Sequence, residues 1–486
     1  MRISELQSGI VLQAGMSQAG DVLLISLFMR RFFTVVFALI MVVMSGKAQQ
    51  VLSVESWSGK LNVGVQKLTV GFVINTLSDG TQVCTMDVPE QGAVDIPVVL
   101  LKNDADSLKV SIPSIGATYN GHRVSNESIK GIFTQNGYGM VLDLNSGGIE
   151  LKRPQTPLPP YGYYTEDVVF FNEAEGAELA GTLTYPVGYE RMEKGTVPVV
   201  LMVTGSGAQD RNEELFGHKP FLVIADFLAR NGIASLRYDD RGVGKSKGVV
   251  QGTTTMNNLA DAAAGISYLR NIGKFGKVGV IGHSEGGTIA FMLGARCSVD
   301  FLVSLAGAAA KGVDVIVGQN MAIMQLQGVP ANVVEQYAAA LRLLYADRIG
   351  GKEFADAAGY VTDMCRSNNL DLSDTYKENL AKCTVAGGEW FTWFLGYDPA
   401  TAIADVECPV MALNGKLDLQ VLCKDNMPVI RKYLPFNDKN LIKEYNSLNH
   451  LFQHCTMSTS YNYGAIEETI SQEVLDDIAN WINGIR

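Results

Sequence analysis

The sequence is poor in histidine and cysteine and carries no run of basic residues. It also lacks an uninterrupted apolar run of the roughly 20 residues that a membrane-spanning helix needs. Each shortage excludes something. Five His among 486 residues leave few candidates for a catalytic base. His and Cys do not cluster at ligand spacing, so neither a metal site nor a cofactor is expected. The 7 Cys fall far below the density of a disulfide scaffold. Lys and Arg number 39 against 50 Asp and Glu, a net charge of −11, which argues against nucleic acid or an anionic membrane as partner. What the chain does have is core material: 47% of its residues are apolar and 18% charged, the balance of a globular protein of about two to four domains.

The N-terminal region reads as an export signal. Met29-Arg30-Arg31 precedes a 13-residue apolar run at 32–44, and Ser45-Gly46-Lys47-Ala48 then places small residues at −3 and −1 of a cut after Ala48. Residues 1–48 are therefore assigned to an upstream extension plus a signal at 29–48, with translation expected to start at Met29. The residue after the cut is Gln49 rather than Cys, so no lipoprotein anchor is indicated. Export to the periplasm or the medium is the expectation, with no stable membrane anchor. An oxidising compartment allows pairing among Cys297, Cys365, Cys383, Cys408, Cys423 and Cys455.

Two further regions follow. Residues 49–151 show short alternating runs (61–65, 68–75, 96–101, 108–112 and 139–144), and turns are expected at Ser78-Asp79-Gly80 and Tyr119-Asn120-Gly121. This predicts a small all-β domain. A connector at 152–164 holds Pro154, Pro157, Pro159 and Pro160. From 165 to 486 the pattern changes to α/β. Strands are predicted at 168–171, 179–185, 197–203, 233–238, 277–282, 301–305, 410–414 and 441–445. Helices are expected near 219–231, 256–271, 286–296, 421–434 and 467–485. Apolar strands separated by helices indicate a mostly parallel sheet covered on both faces. The helix-rich segment at about 311–400 reads as an insertion over the sheet, a cap.

Gly-x-Ser-x-Gly occurs twice, at Gly244–Gly248 around Ser246 and at Gly282–Gly286 around Ser284. Only Ser284 lies between a strand and a helix, as a strained nucleophile elbow requires; Ser246 sits between two loops. The segment Gly242-Val243-Gly244-Lys245-Ser246 imitates a phosphate-binding loop, but Asp239 stands where its first Gly belongs.

A serine hydroxyl needs a base. His122 falls in the β-domain, His218 lies upstream, and His283 adjoins the nucleophile and cannot fold back onto it. His450 follows the last predicted strand after a short loop, where the base is expected, with His454 as the weaker choice. The acid is expected after strand 410–414, which selects Asp418 over Asp425. An oxyanion needs two backbone N–H donors: one from Glu285, the other from the loop Thr204-Gly205-Ser206-Gly207-Ala208-Gln209-Asp210-Arg211, where Gly205 and Gly207 let the backbone turn towards substrate.

Taken together, GSGAQDRNE, RYDDRGVGKS, GHSEGG, NGKLD and NHLFQ resemble the secreted or periplasmic α/β-hydrolase esterases and, within that superfamily, the bacterial serine aminopeptidase-like group. The resemblance covers roughly residues 165–486. It implies an α/β-hydrolase fold with a helical cap, a triad of Ser284, Asp418 and His450, and Ser206 as an oxyanion donor. Some of these esterases carry an N-terminal β-domain. Where relatives often have His-Gly before the oxyanion residue, this chain has Thr204-Gly205. The expected activity is carboxylic ester hydrolysis on a small-molecule substrate. The alternative is a serine exopeptidase acting on short peptides, with Glu213-Glu214 holding the substrate amine; a catalytically idle binding module is a third reading. In the cap, Met321, Met324, Leu326, Leu343, Leu344, Trp390, Phe391, Trp393 and Phe394 suggest an apolar lid, with Trp390 and Trp393 as substrate contacts; the same residues equally suit the cap's own core.

Overall fold

The computed structural model describes residues 51–485 apart from 64–65, 90–92, 136, 150–151 and 297. The upstream extension and the export signal lie outside the described residues. Two compact units are present. One reaches to Lys152 and takes in Asn462–Glu467; the other comprises Arg153–Tyr461 and Glu468–Arg486.

The first unit is antiparallel throughout: β1 (Val51–Val63), β2 (Gln66–Leu77), β3 (Gln82–Val88), β4 (Ala93–Asn103), β5 (Ser107–Ile112), β6 (Ala117–Ser125), β7 (Ser128–Gln135), β8 (Tyr138–Val141) and β9 (Leu144–Ser146). Neighbouring strands run β6-β5-β4-β3-β2-β1-β9-β7-β8, and a further β6–β7 pairing closes the sheet into a barrel. Its interior is filled by alternating side chains such as Trp57, Leu61, Val70, Phe72, Val110, Tyr119 and Phe133. The turn at Ser78–Gly80 forms. Tyr119-Asn120-Gly121 does not turn; it lies within β6. The reason is steric. The Tyr119 ring sits inside the barrel over Gly121 and its cross-strand partner Gly131, where a Cβ would stand 2.7 and 2.4 Å from the phenol. Tyr119 Oη donates to the Leu142 carbonyl at 3.1 Å. Glycine here makes room for a ring rather than a bend.

In the second unit all eight strands expected from sequence form. They are β10 (Thr165–Asn172), β11 (Ala177–Thr184), β12 (Val199–Val203), β13 (Ala234–Tyr238), β14 (Val278–His283), β15 (Leu302–Leu305), β16 (Val410–Gly415) and β17 (Leu441–Tyr445). Their order is β10-β11-β13-β12-β14-β15-β16-β17. β11 pairs antiparallel with both β10 and β13, so it alone runs against the other seven, and β12 to β17 pair parallel. Renumbered within the unit this is 1-2-4-3-5-6-7-8, the α/β-hydrolase order, and the fold is an α/β-hydrolase.

Helices α1 (Pro220–Arg230), α2 (Thr255–Asn271) and α3 (Glu285–Ala295) follow β12, β13 and β14. Between β15 and β16 lie α4 (Gly312–Leu326), α5 (Ala331–Ile349), α6 (Ala357–Ser367), α7 (Asp374–Cys383), α8 (Gly388–Gly396) and α9 (Ala400–Ala404), then α10 (Cys423–Tyr433) and α11 (Gln472–Gly484) close the chain. The segment read as a cap is α4 to α9. Strand residues alternate between two cores. Val199, Leu201 and Val203 pack towards α2, α3 and α10, whereas Val200 and Met202 pack towards α1 and α11. That alternation explains why these strands read as continuous apolar runs. No helix among the described residues is long and apolar enough to cross a membrane. Among the described cysteines, Cys365, Cys423 and Cys455 carry free thiols.

Candidate active site

Three loops at the C-terminal ends of β14, β16 and β17 carry Ser284, Asp418 and His450. Every residue of β14 is buried, and the chain leaves it through Ser284 at φ 54°, ψ −117°. That left-handed conformation is unfavourable for a residue with a side chain. It is held by the Ser284 N–H, which donates to the Leu305 carbonyl at 2.9 Å, and by the start of α3, whose Gly287 N–H donates to the Ser284 carbonyl at 3.0 Å. The turn is tight enough to demand glycine on both sides. A Cβ on Gly282 would stand 1.9 Å from the Gly286 carbonyl oxygen, and one on Gly286 would stand 2.1 Å from that of Val203. Both clashes are with backbone, which cannot swing aside. Gly286→Ala is therefore expected to destabilise the unit by about 3 kcal/mol or more and to abolish activity, measured by thermal melting and ester turnover. Ser284 itself keeps partial solvent access, and Glu285, as first residue of α3, directs its N–H outward from the helix start.

Asp418 and His450 are paired. His450 Nδ1 lies 2.7 Å from Asp418 Oδ2, and the two side chains are 3% and 0% exposed. The other Asp418 oxygen accepts the N–H groups of Gln420 at 2.7 Å and Val421 at 2.9 Å, so the carboxylate is locked in orientation. The His450 loop is fixed by Asn449, whose Oδ1 accepts from the N–H groups of Leu451 and Gln453, each at 3.0 Å. With Nδ1–H donated to Asp418, Nε2 of a neutral His450 is left as the basic nitrogen.

The loop after β12 is tied down from its neighbour strand. Thr204 Oγ1 donates to Asp240 at 3.0 Å and the Gln209 N–H donates to it at 2.9 Å, while the Asp240 N–H returns a bond to the Gln209 carbonyl. Arg211 makes a two-pronged pair with Asp239 at 2.9 and 2.7 Å. The segments GSGAQDRNE and RYDDRG are thus two halves of one brace on the neighbouring strands β12 and β13. Enclosure among protein atoms pushes the Asp240 carboxyl well above the usual carboxylate range, with Glu285 and Glu213 adding to the effect against the two hydrogen bonds. Gly205 abuts Ser284: a Cβ there would come within 3.2 Å of Ser284 Cβ. Its N–H is taken by Glu213 Oε1 at 2.7 Å. The following residue, Ser206, is partly exposed and Gly207 is exposed in a left-handed turn.

Other candidates go elsewhere. Ser246 Oγ donates to the Asp239 carbonyl and accepts from the Ala180 N–H, a loop anchor. His454 is exposed and pairs with Glu468. His218 is buried against Thr469 and Gln453, and Asp425 lies in α10. Trp390 on α8 donates its indole N–H to Glu285 Oε1 at 2.9 Å, one residue after Ser284, while Thr255 donates to the same oxygen. Burial raises the Glu285 carboxyl above its ordinary value despite those two donors. Trp393 instead stacks on Tyr397 at 4.7 Å and packs towards the main core. Met324, Leu344 and Phe391 are buried within the cap, whereas Leu343 is exposed. Glu214 pairs with Lys219 at 3.3 Å, and Glu213 is buried beneath the elbow beside His283. Sequence reasoning missed this last pair. Among the described residues no group of His, Cys, Asp and Glu suits a metal ion.

A model of the family described as serine aminopeptidase, S33 matches residues 220–376. The chain is 25% identical over 305 residues to esterase EstD of Thermotoga maritima, a match spanning 63% of this chain and 65% of that protein. Among solved structures it is similar to an esterase of Pyrococcus furiosus, at 14% identity and a TM-score of 0.40, covering 70% of this chain and 99% of that one. It is also similar to a proline iminopeptidase of Mycobacterium smegmatis, at 14% identity and a TM-score of 0.39, covering 66% of this chain and 98% of that one.

Proposed function

We propose that this α/β-hydrolase is a serine carboxylic ester hydrolase in which Ser284 is the nucleophile, His450 the base and Asp418 the acid that orients it. The observation that carries the reading is the buried 2.7 Å contact between His450 and Asp418 on loops that flank a left-handed Ser284. His450 Nε2 takes the proton as Ser284 Oγ attacks the ester carbonyl. The tetrahedral oxyanion is stabilised by the N–H groups of Glu285 and Ser206. His450 then returns the proton to the departing alcohol, and water, activated by the same base, releases the acid from the acyl-enzyme. Trp390, held beside the elbow by Glu285, lines the acyl side.

Ester rather than peptide chemistry is favoured by the acids near the site. An exopeptidase needs an accessible carboxylate to hold the substrate amine, and Glu213 is closed off from solvent with its Oε1 taken by Gly205 and His283. The likeness to a protein named as an esterase points the same way. The test is turnover of p-nitrophenyl esters of increasing acyl length beside aminoacyl and dipeptidyl nitroanilides. Ester hydrolysis with anilides untouched is expected; anilide hydrolysis at comparable rates would overturn the preference. Export belongs to the same proposal, resting on the 29–48 signal with translation starting at Met29, and an N-terminal peptide from within residues 1–28 of the natural protein would contradict that start.

A further inference from the structure

Two ionisable groups beside the nucleophile have no part in that chemistry: the carboxylate of Glu213 and the imidazole of His283. Both are nearly closed to solvent, at 5% and 6% exposure. Glu213 Oε1 accepts the Gly205 N–H at 2.7 Å and contacts His283 Nδ1 at 2.9 Å. On the other side of the ring, His283 Nε2 is 3.0 Å from the backbone carbonyl oxygen of His450. A carbonyl can only accept, so Nε2 carries a hydrogen. Oε1 accepts one hydrogen from Gly205 and shares a second with Nδ1. We take the pair as an imidazolium and a carboxylate, since Glu213, the His450 carbonyl and Asp418 together raise the imidazole above its ordinary value against burial.

The result is a continuous chain across three loops: Gly205 N–H to Glu213, Glu213 to His283, His283 to the carbonyl of His450. Gly205 precedes the oxyanion residue, His283 precedes the nucleophile, and His450 is the base. The His283 and His450 rings lie 4.8 Å apart. We propose that Glu213 and His283 are positioning residues, an ion pair that holds the oxyanion loop and the base loop in register with Ser284. The inference rests on the catalytic reading of Ser284, Asp418 and His450.

A role in folding alone accounts poorly for what is found. A buried ion pair is seldom worth more than the apolar residues that could replace it. Glu213 also adopts a left-handed backbone at φ 51°, and its second oxygen, Oε2, is buried without a hydrogen-bond partner. Three costs gather on one residue directly beneath the elbow, where misplacement of about 1 Å costs about 100-fold in rate.

The pair has a pH signature. Burial works against the His283 charge, but Glu213, the His450 carbonyl and Asp418 outweigh it and raise the group above its ordinary value. The charged or titratable groups facing the pair are Asp418 and His450 on the acid and base loops, with Asp240 after β13 acting on Glu213 and Glu285 at the start of α3 acting on Asp240. A raised imidazole is fully charged below its unfolded value of about 6.5 and loses its proton only as pH climbs through the higher folded value. The brace is therefore lost on the alkaline side, as pH climbs through the raised His283 value.

The test compares wild type, Glu213→Gln and His283→Asn for p-nitrophenyl ester hydrolysis from pH 5 to 10. Rates are taken per active site titrated with a fluorophosphonate. Glutamine still accepts from Gly205 but supplies no charge to hold the imidazolium. The expected result is a kcat lower by about 10- to 100-fold with KM changed less than about threefold, and, in Glu213→Gln, an alkaline limb moved towards acid. For the wild type, ¹⁵N-histidine spectra followed through pH should show the His283 imidazole holding both protons above the ordinary value of about 6.5. That reading needs no variant to fold. Wild-type kcat and an unmoved alkaline limb in both variants, or a His283 that loses its second proton at or below the ordinary value, would overturn the brace while leaving the triad standing. Full turnover by Ser284→Ala would instead bring down the catalytic reading and this inference with it.

Discussion

Replacing Ser284 by Ala is expected to lower ester turnover by about 10⁴- to 10⁶-fold while leaving the melting temperature within about 2 °C of wild type. The loss is large because the acyl-enzyme cannot form, and the remaining oxyanion donors and binding surface act only on an attacking water. The fold is spared because the strained φ of 54° is enforced by backbone contacts and by Gly282 and Gly286, none of which involves the hydroxyl. Kinetics of purified Ser284→Ala beside wild type, with melting curves for both, checks the two halves together. A variant that lost stability along with activity would point to a structural serine.

The second large effect is expected for Asp418→Asn, at about 10⁴-fold in kcat with little change in KM. The direction follows from the two sides of the carboxylate. Oδ1 accepts backbone N–H groups from Gln420 and Val421, so an Asn amide must place its oxygen there. Its NH₂ then faces His450 Nδ1, where Oδ2 now lies at 2.7 Å. Donation from the amide leaves Nδ1 as acceptor and puts the hydrogen on Nε2, the nitrogen that must receive the Ser284 proton. Steady-state kinetics gives the rate, and the ¹⁵N shifts of His450 report the tautomer. Unchanged kcat in a folded Asp418→Asn would remove Asp418 from the mechanism.

The α/β half was legible because its central strands are buried on both faces. Runs such as Val199–Val203 and Val278–His283 have no polar alternation to blur them. Ser284 could be separated from Ser246 because only one serine lies between a strand and a helix. Asp418 could be separated from Asp425 because the loop after β16 and the helix α10 are distinct in sequence. The barrel was harder. Asn120-Gly121 carries a turn signal, but the signal does not register that Tyr119, two positions before Gly121 on the same face, needs the space. The Glu213–His283 pair was out of reach for a different reason. Its members lie 70 residues apart, Glu213-Glu214 reads as a surface acid pair, and only the adjacency of β12 and β14 brings the two together. The contact of Trp390 with Glu285 has the same character: the cap tryptophan is visible in the sequence, its partner is not.

The central claim is that Ser284 becomes acylated. It is tested most directly by incubating the folded protein with an organophosphorus fluoridate and locating the adduct by intact mass and peptide mapping. The account predicts one adduct per chain, on the peptide containing Ser284, formed in step with loss of ester turnover and absent in Ser284→Ala. Stoichiometric modification of another serine, such as Ser206 or Ser246, or undiminished turnover with Ser284 blocked, would contradict it.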